Sequence, residues 1–277
     1  MKNVLFIVLL YLPLSGMAYN IKNHERITRK AIELLNKKYG ANYITGYEAK
    51  QIIRGNLSED KFNSKWLIRP FNQHFYNPLK EKQYWKRNKS IDRRFEKLQR
   101  NFTGRVNKSK YYYSIGEIIH HLQDETVPAH VVPIFHWVFK KDKFDEQQVQ
   151  ELLPVNLDLE EVIGQNNDYA SQLLKKVTIQ TLNNIRQKFN VEIRTIKEKE
   201  LASIDWSYFW KENPKGWFGE YGIFGNRYLN DTIEVNDKKY IIDNNIYKTF
   251  SRQQLNLAVS YTARFIQYAK ELNKAAR

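Results

Sequence analysis

Ile115-Gly116-Glu117-Ile118-Ile119-His120-His121-Leu122-Gln123-Asp124-Glu125-Thr126-Val127-Pro128-Ala129-His130 carries a fold and a chemistry together. Ile115, Ile118, Ile119 and Leu122 recur at helical spacing, which predicts a helix with an aliphatic stripe turned to a core. Pro128 ends or kinks that helix, because proline lacks the amide hydrogen a helix interior uses. His120 and Asp124 are four apart, so both side chains lie on one face, one turn apart, close enough to share a cation. His121 points about 100° away by the same geometry and is the weaker donor candidate. His130 follows the proline and His136 closes the stretch, so four of the chain's six histidines fall here.

Outward from this helix, the helical period dominates. Ile27, Ala31, Leu34 and Leu35 line one helix; Ile91, Phe95, Leu98 and Phe102 a second; Leu173, Leu174, Val177 and Ile185 another. The last helix is expected from Ser251, its N-cap, to Leu272. Asp231–Asp243 reads instead as a β-hairpin turning at Asn236-Asp237. Before it, Trp206–Tyr228 is rich in aromatics and glycine, which suits either contact with a substrate or lipid interface or packing onto the helical body. The expected fold is therefore all-α: a single multi-helix domain over residues 19–277, with a small β-hairpin near 231–243.

Composition narrows the chemistry. The 277 residues contain no cysteine, which excludes disulfides and thiolate metal sites and leaves His, carboxylate and backbone groups as donors. A formal net charge of +15 suits a polyanionic partner such as anionic lipid, nucleic acid or a phosphate-bearing substrate. Residues 1–18 read as a signal peptide: Lys2, an apolar run from Val4 to Leu12, Pro13, then Gly16-Met17-Ala18 before the cleavage point. Secretion or periplasmic export is the expectation, with Tyr19 as the new N-terminus.

The spacing His120-x3-Asp124-x3-Pro128-x-His130 resembles the central signature of the zinc-dependent phospholipase C and single-strand nuclease superfamily. Gln73-His74-Phe75-Tyr76-Asn77-Pro78 is similar to the His-Phe-Tyr-Asp-Pro motif of the bacterial phospholipase C branch, and Asp60 lies fourteen residues before His74. Tyr19 and His24 stand where that family places its first mature residue and an early metal-binding histidine, at a spacing nearer to the nucleases. Thr262-Ala263-Arg264-Phe265-Ile266-Gln267 is a fainter match in the last helix. Residues 150–250 carry no match.

The resemblance implies about three zinc ions. Asp60, His74, His120 and Asp124 would hold the first, with Asp124 bridging to a second held by His24 and the amine and carbonyl of Tyr19. The third would take His130, a second histidine and a carboxylate. Here the chain departs from the family: Lys141 stands four before Asp145, where the family has that histidine. His136 with Asp145 is favoured, and Asp142 or Glu146 are the other carboxylates available. The implied activity is hydrolysis of glycerophospholipid to diacylglycerol and a phosphorylated headgroup, by in-line attack of zinc-activated water on phosphorus, with Asp60 as orienter or base. Phe71 matches an aromatic that lines the choline pocket in that branch, whereas Lys61 would repel choline and suit an anionic headgroup. The partner implied is a phospholipid surface, with no obligate protein partner. A single-strand nuclease is the alternative, and a non-enzymatic lipid- or nucleic-acid-binding module with structural zinc is the third reading.

Overall fold

Local capping chemistry sets where the helices begin and end. The computed structural model describes residues 21–60, 74–79, 91–103, 107–134, 142–145, 168–213, 218–227 and 232–275. Seven helices lie among them: α1 (Ile21–Tyr39), α2 (Gly46–Ser58), α3 (Asp92–Thr103), α4 (Lys108–Asp124), α5 (Pro128–Val131), α6 (Tyr169–Ile185) and α7 (Asn244–Ala275). Thr45 opens α2 with a reciprocal capping box: its hydroxyl accepts from the Glu48 amide at 3.3 Å, and Glu48 accepts from the Thr45 amide at 2.9 Å. Asn107 opens α4 by accepting from the Lys110 amide at 2.9 Å. That helix stops at Asp124, and Pro128 starts α5, where a missing amide hydrogen costs no helical bond.

The aliphatic stripes bury as their spacing predicts. Ile27, Ala31, Leu35, Ile115, Ile118, Ile119 and Leu122 are all fully buried. α2 and α4 approach most closely at Gly55 and Gly116: a Cβ on Gly116 would stand 2.0 Å from the Ile52 carbonyl oxygen, and one on Gly55 would stand 1.9 Å from that of Tyr113. Only two facing glycines permit this contact, and it seats the C-terminal end of α2 beside the histidine-bearing end of α4.

The all-α expectation fails. The hairpin expected near 231–243 is present as β5 (Thr232–Val235) and β6 (Lys238–Ile241), with Asn236 and Asp237 at positive φ as its turn requires. It is half of a four-stranded antiparallel sheet of order β2-β1-β6-β5. β1 (Lys188–Arg194) pairs with β2 (Lys199–Asp205), placing Val191 opposite Ala202, and with β6, placing Ile193 opposite Tyr240. Val191, Ile193, Ile204, Ile233 and Tyr240 point inward and join the helical residues in one buried cluster. Two short strands, β3 (Trp210–Lys211) and β4 (Glu220–Tyr221), form a second sheet.

One further expectation is corrected. Ser251 is no N-cap: it is buried inside α7, whose start is capped by Asp243 accepting from the Asn245 amide at 2.8 Å. In the aromatic segment, Trp206, Phe209, Trp210 and Phe224 are buried, and Trp206 stacks on Phe250 with centroids 4.2 Å apart. These rings pack the sheet region onto α7. Trp217 and Tyr228 lie outside the described residues. Among the described residues no helix is long and apolar enough to cross a membrane.

Candidate metal centre

Four elements converge on one buried point. α1 supplies His24, the residues just past α2 supply Glu59 and Asp60, the segment 74–77 supplies His74, and the last turn of α4 supplies His120, His121 and Asp124. Their nitrogen and oxygen atoms fall into two groups, each drawn together within 4.8 Å: His74, His120, His121 and Asp124 form one, and His24, Asp60 and His120 the other. Asp124 faces both. Its Oδ1 lies 3.3 Å from His24 Nε2, while its Oδ2 lies 2.6 Å from His74 Nδ1 and 3.3 Å from His120 Nε2. Asp60 belongs to the second group, at 3.6 Å from His24 Nε2 and 3.4 Å from His120 Nε2, the ring common to both. His74 is the accessible member, with its side chain 32 % exposed, whereas His24, His120 and Asp124 are sealed from solvent.

Hydrogen bonds around the group aim the rings. Gln123 Nε2 donates to Thr28 Oγ1 and Thr262 Oγ1, both at 3.0 Å, so its Oε1 is left to accept. Oε1 accepts from Asn56 Nδ2 at 3.1 Å and from His24 Nδ1 at 2.6 Å. His24 therefore carries its proton on Nδ1 and turns the Nε2 lone pair towards Asp60 and Asp124. His130 is fixed in the same way: Nδ1 donates to the His74 carbonyl at 2.7 Å. His24, a buried ring whose outer nitrogen is bonded to the protein and whose inner nitrogen faces carboxylates, has the arrangement of a metal ligand.

Several inner atoms lack hydrogen bonds. Both nitrogens of His120 and of His121, together with Asp60 Oδ2 and Asp124 Oδ1, are buried without such a partner. Each such group costs about 1–3 kcal/mol if left unmet, and a cation at the centre would meet them collectively. The donor set is all imidazole and carboxylate, which zinc accepts in its usual four-coordinate geometry. This buried His/Asp group could hold a metal ion.

No protein-family model, curated protein or solved structure matches this chain.

The structure thus brings together His24, Asp60, His74, His120 and Asp124. It also brings in His121, which the helical offset had set aside. His130 and Asp145 fall outside both donor groups, although both are buried. Asn23, beside His24, donates to the Asp145 backbone carbonyl at 3.2 Å, which ties residue 145 to α1. Asp142 is engaged elsewhere, accepting from Trp210 Nε1 at 3.1 Å and from the Phe144 amide at 2.8 Å. Tyr19, Lys61, Phe71, His136 and Glu146 lie outside the described residues. Gln123, Thr28 and Asn56 were not singled out from sequence, since nothing in a lone amide or hydroxyl marks it as the support of a distant ring.

The metal-free electrostatics set a pH dependence. Burial works against a charged His120, but the carboxylates of Asp124 and Asp60 outweigh it and hold its pKa well above the ordinary imidazole value. Burial likewise opposes ionised Asp124, yet His120 and His74 keep its pKa well below the usual carboxylate range. His120 therefore holds a proton at neutral pH that an incoming metal must displace, so uptake should release a proton and weaken as pH falls. Calorimetry of zinc binding in two buffers of different ionisation heat checks this. A buffer-dependent heat is expected; identical heats would contradict it.

Proposed function

We propose that this chain is a zinc-dependent phosphodiesterase of the phospholipase C type, related to the zinc phospholipase C and single-strand nuclease superfamily and holding about three zinc ions. The observation that carries this reading is Asp124, whose two carboxylate oxygens face separate donor groups. One buried carboxylate addressing two cation positions is the arrangement of multinuclear hydrolases that act on phosphate esters. Zinc, when bound, supplies an acidified water and neutralises charge on the phosphoryl oxygens.

This chain's residues supply the rest. Asp60 stands beside His24 and the shared ring of His120, and orients the attacking water or accepts its proton. Gln123 keeps His24 in one tautomer. His74, the exposed donor, marks the side from which a phosphodiester would arrive. Burial of the remaining donors excludes bulk water and strengthens their grip on charge. His130, His136 and Asp145 are the candidates for the third zinc, and Tyr19 for the second. Lys61 favours an anionic over a choline headgroup, while Phe71 is the aromatic that would contact it. Export guided by residues 1–18 brings the enzyme to its lipid.

Net charge of +15 also favours a nucleic-acid substrate on the same scaffold. A paired assay separates the readings: protein starting at Tyr19 is given phospholipid vesicles and single-stranded DNA, each with and without chelator. Release of diacylglycerol and phosphorylated headgroup, lost on chelation and restored by zinc, is expected. Cleavage of DNA alone would replace this reading with the nuclease one, and turnover of neither would leave a binding module.

A further inference from the structure

Behind the cluster runs a buried ionic chain that the proposed chemistry does not use. Arg94 of α3 grips Glu59 with two bonds, Nη2 to Oε1 at 2.5 Å and Nε to Oε2 at 3.3 Å. The same Nη2 reaches Glu117 Oε1 of α4 at 3.3 Å. Glu59 Oε2 in turn lies 3.4 Å from His121 Nε2, and His121 Nδ1 lies 3.7 Å from Asp124 Oδ2. None of the four side chains is more than 9 % exposed. Two carboxylates and a guanidinium held out of water stabilise a fold less well than apolar residues of the same size often would. Packing alone therefore gives little reason for them.

We propose that Glu59, held in place by Arg94 and Glu117, is a positioning residue that makes His121 Nδ1 an additional metal donor. An ionised carboxylate can only accept, and the Glu59 charge 3.4 Å from Nε2 favours the tautomer with its proton on that nitrogen, without an aligned hydrogen bond between them. The lone pair is then left on Nδ1, the nitrogen that faces Asp124 at 3.7 Å on the side of the group that holds His74 and His120. Arg94 occupies both Glu59 oxygens, which keeps that carboxylate from turning inward to become a ligand itself. The site is thus one imidazole richer than the set inferred by resemblance. The proposal rests on the metal-binding part of the reading above and is independent of the substrate.

The test uses the zinc-loaded protein with ¹⁵N-labelled histidine. Two-bond ¹⁵N–¹H correlation spectra, with His121 assigned by His121→Gln, report which ring nitrogen carries the proton. A protonated Nε2 and a metal-shifted Nδ1 on His121 are expected. Zinc competition with a chromophoric chelator then compares wild type with Glu59→Gln, which keeps an acceptor but loses the charge that Arg94 holds. One zinc should weaken by about 10–100-fold, the range found for outer-shell changes. A His121 ring whose Nδ1 is not metal-shifted in zinc-loaded wild type overturns the proposal, and this reading needs no variant to fold. Unchanged zinc affinity in Glu59→Gln removes Glu59 from the role. Wild type that takes up no zinc overturns the metal reading itself.

Discussion

Asp124→Asn should strip the protein of more than one zinc and lower turnover to under about 1 % of wild type, a larger loss than the 10–100-fold typical of outer-shell changes. Asparagine keeps the shape of the side chain and its fit at the end of α4. It removes the charge that faces His24 through one oxygen and His74 and His120 through the other. Two dications held close together repel, and a shared anionic carboxylate is what offsets that repulsion. Replacing any donor that serves one group alone should cost fewer metal ions. Metal analysis of the purified variant beside His74→Ala checks the ordering: the Asn variant should lose more zinc. Full zinc content and activity in Asp124→Asn would break the case for a bridging carboxylate, and with it the reason for assigning phosphoester chemistry.

Gly116→Ala should destabilise the fold by about 2 kcal/mol or more, although alanine is the better helix former by about 1 kcal/mol. The added methyl would meet the Ile52 carbonyl oxygen at 2.0 Å, the Asn56 amide nitrogen at 2.5 Å and Gly55 Cα at 2.8 Å. All three are backbone atoms, so no side chain can swing aside and the two helices must part. α2 carries Asn56 and leads directly into Glu59 and Asp60, while α4 carries their partners His120 and His121. The same substitution should therefore loosen the metal site. Urea denaturation with zinc titration reads both effects: a lower midpoint and weaker zinc binding are expected. An unchanged or raised midpoint would mean that the close approach of α2 and α4 does not govern the site.

The helices and half of the site were legible because they are local. Stripes such as Ile115, Ile118, Ile119 and Leu122 declare a buried face within two turns of chain, and His120–Asp124 declares a shared direction within one. His24, Asp60 and His74 had no local signal: they reach the cluster across sequence separations that no period encodes, and only the family resemblance singled them out. His121 was set aside on a true geometric fact, its rotation of about 100° from His120. The site wraps around that end of α4, with Glu59 3.4 Å from one nitrogen of His121 and Asp124 3.7 Å from the other, so that ring too faces carboxylates. The other half of the sheet, β1 and β2, was missed for another reason. Phe189, Val191 and Ile193 alternate with polar residues over β1, but a single seven-residue alternation beside a long helix carries little weight until its partner strands are known. Ser251 is an apt cap by residue type, and it lost that role to Asp243 once the chain before it proved helical.

The central claim is that the buried His/Asp group is a multinuclear zinc centre, and anomalous diffraction at the zinc absorption edge tests it most directly. Crystals grown from zinc-supplemented protein should show at least two strong peaks on either side of the Asp124 carboxylate. One should lie within about 2.0–2.2 Å of donors from His74, His120 and His121, and the other equally close to His24 and Asp60. A map with no peak at Asp124, or with zinc only on surface histidines, would contradict the account.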